Sequence, residues 1–147
     1  MNQDYKEWFT EHGFAEQVPA FANADGDYAL ILASRQGRCD LVQQLLADGA
    51  SSDCTDRYGN NALWAACYAD SEGCARLLAQ NGCALDYQNP AGNSALAYAA
   101  SSGRDKMVKL LLELGANPNL QNQDGMTAMD LASTLTGLKL LRKACSK

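Results

Sequence analysis

The chain has 147 residues, 47% hydrophobic and 20% charged, which suits one globular domain with apolar material for a core and too little charge for disorder. Its 12 Lys+Arg stand against 17 Asp+Glu, a net charge of −5, and an acidic surface repels phosphate, so nucleic acid is not the expected partner. No apolar run approaches the roughly 20 residues that cross a bilayer, and Met1–Thr10 lacks the basic and apolar regions of a secretion signal; the expectation is a cytoplasmic protein with no membrane partner.

In chain order, Asp4–His12 with apolar Trp8 and Phe9 and a stop at Gly13 predicts an N-terminal cap helix within residues 1–22. Phe14, Val18 and Phe21 follow as a seal for the next layer. From there the chain repeats with a period of 33. Gly26, Gly59, Gly92 and Gly125 keep the phase, each preceded at three residues by Asn23, Asp56, Asn89 or Asn122. Three residues after each glycine stands Ala29, Ala62, Ala95 or Ala128, and seven after stands Ala33, Ala66, Ala99 or Ala132. A further glycine closes the first three units at Gly49, Gly82 and Gly115.

Each unit reads as turn, short helix, tight turn, longer helix and loop. Asn or Asp three residues before Gly is turn chemistry, because the short side chain bonds its own backbone and Gly accepts positive φ. Leu30, Ala33 and Ser34 before Gly37 predict a short helix with a small-residue face. Leu41, Val42, Leu45 and Leu46 before Gly49 predict a second, more apolar helix. Neither is long enough to be stable alone, so each layer depends on its neighbours. The repeats run 23–55, 56–88 and 89–121, with 122–147 as a partial C-terminal capping repeat. There, Leu138, Leu140 and Leu141 share a helix with Lys139, Arg142, Lys143 and Lys147, cations that suit its C-terminal dipole. Unit two is irregular: Asp70 replaces the inter-helix glycine, and Ala75 and Ala79 replace larger residues. It is expected to be the softest internal layer.

These residues resemble the ankyrin repeat, with its Asp/Asn-x-x-Gly turn, paired alanines and Leu-Leu…Gly-Ala ending. The helix-start tetrapeptide departs from that family's Thr-Pro-Leu-His: here Tyr28–Ile31, Asn61–Trp64, Ser94–Ala97 and Thr127–Asp130 all carry Ala for Pro and lack His. The resemblance implies an all-α solenoid of stacked helix-turn-helix units with β-hairpin loops, capped at both ends. It also implies that losing the family's His and Thr hydrogen bonds leaves a less rigid array.

Chemistry-bearing residues are sparse. His12 is the sole histidine and has no nucleophile in a recognisable arrangement with it. Six cysteines at successive gaps of 15, 13, 7, 9 and 62 residues match no zinc-ligand pattern. Cys67, Cys74 and Cys83 occupy apolar repeat positions and are expected to be buried, inert thiols, with Cys39, Cys54 and Cys145 more exposed. No phosphate-binding glycine motif is present. The expectation is no enzyme, no cofactor and no metal.

Charge is polarised, with residues 1–56 at −7 and the remainder at +2, which fits steering of a protein partner that carries a basic patch. The resemblance implies a protein–protein interaction module, monomeric by itself, that contacts its partner through the turn tips and first helices on a concave face. By phase these contacts are Asp25, Asp27, Arg35 and Gln36; Arg57, Tyr58, Asn60, Trp64 and Tyr68; Asn93, Ser101 and Ser102; and Asp124 and Met126. Tyr98 is expected on the inner face, toward the second helix. A thiol-based redox or metal-responsive role for the cysteines is the alternative from another class.

Overall fold

The computed structural model describes residues 3–14 and 28–145. After the cap helix α1 (Gln3–Glu11) come two helices per unit: α2 (Ala29–Arg35) and α3 (Cys39–Ala47), α4 (Ala62–Tyr68) and α5 (Glu72–Gln80), α6 (Ala95–Ser101) and α7 (Asp105–Glu113), then α8 (Ala128–Leu131) and α9 (Leu135–Cys145). The first helices pack in file, α2 on α4, α4 on α6 and α6 on α8; the second helices do likewise, α3 on α5, α5 on α7 and α7 on α9. Their small faces let the layers approach. Ala29, Ala33, Ala62, Ala66 and Ala99 are buried, as are Leu45, Leu78 and Leu111 of the second helices. The seal expected at Val18 and Phe21 falls outside the described residues, whereas Trp8, Phe9 and Phe14 are buried together at the N-terminal end.

The turn tips differ from the expected β-hairpins. Among the described residues there is no strand; bridge pairing is confined to single residues, as between Thr55 and Asn61. Each tip closes on itself instead. Asp56 Oδ1 accepts from the backbone N–H groups of Tyr58 and Asn60 at 2.9 and 3.0 Å; Asn89 and Asn122 do the same two and four residues on. With these donors taken by a side chain, no ladder extends beyond one pair.

The same residues also join units. Asn89 Nδ2 donates to Asn60 Oδ1 at 2.9 Å, and Asn122 Nδ2 donates to Asn93 Oδ1 at 3.0 Å. At the first junction Arg35 reaches Asp56 at 3.4 Å. These bonds tie each tip to the next. The tetrapeptide's first residue still caps its helix where chemistry allows: Asn61, Ser94 and Thr127 accept from Trp64, Ala97 and Asp130 N–H, while Tyr28 makes no such bond.

Two irregularities have visible causes. Asp70 holds the inter-helix turn of unit two at φ +56, the left-handed conformation that glycine supplies elsewhere. Helix α8 stops at Leu131, short of its repeat-phase Ala132. Ser133 N–H leaves the helix to donate to Ala100 O at 3.1 Å, and Thr134 Oγ1 accepts from Gly137 N at 2.9 Å to start α9.

Candidate partner-binding site

Arg35 ends α2, and Tyr68 stands 33 residues on at the end of α4, so both lie at the same height on adjacent first helices. Trp64, one turn before Tyr68, shares its helix face. The unit-two tip adds Tyr58 and Asn60. Together Arg35, Asp56, Tyr58, Asn60, Trp64, Ala65 and Tyr68 line an open cavity of about 270 Å³. Tyr58 and Tyr68 are 69% and 59% exposed. Asp56 lies beneath, its side chain 7% exposed, with the guanidinium of Arg35 as its ion-pair partner.

Trp64 is half-buried. It stacks on Tyr98 with ring centroids 4.3 Å apart, and its indole N–H is buried with no hydrogen-bond partner. Tyr98 therefore differs from its expected inward role: it too is half-buried and buttresses the Trp64 ring from unit three.

The other expected contact residues are dispersed. Gln36 is exposed but engaged with the cap: its Oε1 accepts from Trp8 Nε1 at 2.8 Å, and its amide donates to His12 Nε2 at 3.0 Å. His12 Nδ1 then donates to the Trp8 carbonyl at 2.8 Å, so the imidazole is a structural link. Asn60 and Asn93 spend their side-chain oxygens on the inter-unit ladder. Ser101 and Ser102 donate to the Tyr98 carbonyl. Arg57, Asp124 and Met126 are exposed at the tips, and Asp25 and Asp27 lie outside the described residues. Sequence reasoning missed Asp56 and Tyr98. Asp56 had a signal, since it is the one acid where other units carry Asn, in the unit after the one with Arg35.

The thiols follow their expected burial, with Cys67, Cys74 and Cys83 enclosed and Cys39, Cys54 and Cys145 partly exposed. Desolvation raises the Cys67 and Cys74 thiols to about 12, and Cys54 and Cys83 to about 11. Among the described residues no group of three His, Cys, Asp or Glu side chains is placed to hold a metal, and no helix is long and apolar enough to cross a membrane.

Stacked helix pairs with tips and first helices forming one surface define a repeat solenoid of the protein-binding class. A family model described as ankyrin repeats in three copies matches residues 8–89, 30–122 and 81–145, and the chain belongs to the ankyrin repeat family. The ankyrin repeat domain of Bcl-3, a member of the IkappaB protein family, superposes with a TM-score of 0.80 at 30% identity. That match covers 88% of this chain and 58% of the other. The Neurogenic locus Notch protein of Drosophila melanogaster is 35% identical over 65 residues, which is 44% of this chain and 2% of that protein. Ankyrin repeat domains generally mediate protein–protein interactions and are generally non-catalytic.

Proposed function

We propose that this chain is a non-catalytic cytoplasmic adaptor, inhibitor or blocker that captures a protein partner on its concave face, centred on Tyr58, Trp64 and Tyr68. The observation that carries this reading is the gathering of these three rings, from one tip and one helix, around a single open cavity. Trp and Tyr dominate binding hot spots because they bury large rigid surfaces at low entropic cost. Much of the surface is preformed, since stacking on Tyr98 holds the Trp64 ring in place. The −7 balance over residues 1–56 supports a partner that brings a basic patch.

The test is affinity capture with the wild type and with Tyr58→Ala/Tyr68→Ala, after circular dichroism has matched their helicity. The expected result is a protein retained by the wild type, lost from the variant, and bound less tightly as salt rises. Equal retention by both would place binding elsewhere on the solenoid.

A further inference from the structure

We propose that Cys39 and Cys74 form a reversible dithiol–disulfide site that covalently clips α3 to α5. The two Sγ atoms lie 3.2 Å apart, and closure to a bond of about 2.05 Å needs only a small side-chain shift. The approach is built into the neighbouring residue. A Cβ on Gly73 would fall 2.9 Å from Cys39 Sγ, whereas the same phase carries Asp40 and Lys106 in the flanking units. Ser71 Oγ, the N-cap of α5, lies 3.4 Å from Cys39 Sγ on the same side. At the corresponding junction of α7 and α9, Asp105 at the start of one helix accepts a hydrogen bond from Thr134 Oγ1 before the other. At these two junctions the first residue of a second helix meets the start of the next one, and between α3 and α5 that meeting is made by two thiols.

The two sulfurs have different roles. Cys39 is partly exposed at the first residue of α3, so an oxidant can reach its sulfur. Cys74 is fully buried, and its thiol is protonated at neutral pH. With hydrogen peroxide as oxidant, the Cys39 sulfur gives up its thiol proton and attacks one oxygen; the O–O bond breaks, giving Cys39 sulfenic acid and hydroxide, which takes up that proton as water. Cys74 sulfur then attacks Cys39 sulfur; the S–O bond breaks, and the Cys74 proton leaves with the departing hydroxide as a second water. Overall two thiols are oxidised to one disulfide and one peroxide is reduced to two waters. Excess dithiol reductant reverses the bond.

The experiment treats the full chain with stoichiometric hydrogen peroxide, blocks remaining thiols and maps the peptides. The expected product is a Cys39–Cys74 linked peptide with loss of two hydrogens. Closing a loop of this length raises the thermal midpoint by roughly 10 °C, and dithiothreitol restores the original value. Cys74→Ser should instead let dimedone trap a sulfenic acid on Cys39. Cys39→Ser, if it unfolds, leaves the wild-type peptide map as the deciding readout. Linkage of another pair, or stable Cys39 sulfenic acid in the wild type with no linked peptide, would overturn the proposal.

Discussion

Adding one methyl group at two phase-equivalent glycines separates the contribution of the turn from that of stacking. Gly92 and Gly125 hold φ at +85 and +77, so alanine at either strains the backbone by about 1 kcal/mol. Their surroundings differ. A Cβ at Gly92 would lie 2.8 Å from Gln123 N and 2.9 Å from Asn122 Cα, both backbone atoms of the next tip, while a Cβ at Gly125 meets nothing within 4 Å. Ordinary contact begins near 3.4 Å, so the fourth tip must retreat by about 0.6 Å. That retreat stretches two bonds of 3.0 Å, Asn122 Nδ2 to Asn93 Oδ1 and Gln123 N to Ala91 O. Each such bond contributes about 0.5–1.5 kcal/mol. Gly92→Ala should therefore cost about 2–4 kcal/mol and Gly125→Ala about 1 kcal/mol. Urea unfolding followed by circular dichroism measures both. Equal losses within about 0.5 kcal/mol would mean that adjacent tips do not lean on each other, and the stacking argument would fail.

Asp70→Gly should stabilise the chain by about 0.5 kcal/mol: it relieves the left-handed strain, offset by a long 3.9 Å ion pair to Arg104; a lowered urea midpoint would show the pair to be the stronger effect. In native protein Cys67 and Cys83 should react with a thiol reagent far more slowly than the partly exposed Cys39, Cys54 and Cys145, because their sulfurs are buried away from it; rapid labelling of all of them would contradict the packing. Burial raises four thiols above their ordinary 9.0, so the native state retains protons that the unfolded chain releases. Stability should accordingly be complete below about pH 9 and fall as pH rises toward 12, and substituting Cys67 by Ala should weaken that decline. Asn89→Ala removes both the tip cap and the bond to Asn60, and should cost about 1–3 kcal/mol in urea unfolding.

Much of the architecture was legible because it rests on local periodicity. The recurrence of glycine, alanine and leucine at 33 residues sets helix length, helix faces and layer order, and Cys67, Cys74 and Cys83 are buried where that lattice predicts apolar side chains. The approach of Tyr58, Trp64 and Tyr68 also follows from phase, since one tip and one helix carry all three. The early end of α8 was not legible, because Ser133 is drawn out by a carbonyl one repeat away.

What the sequence alone determined is the layered solenoid, because a repeated pattern on short helices can bury its apolar faces only against copies of itself. Tertiary structure decided what occupies the junctions: the asparagine bridges, the Tyr98 buttress behind Trp64, the Arg35–Asp56 pair and the facing sulfurs of Cys39 and Cys74. These contacts join residues about 21 to 35 positions apart, and their distances depend on how far one layer is rotated and translated over the next. No local pattern encodes that offset; it is set by the combined packing of every side chain in the seam.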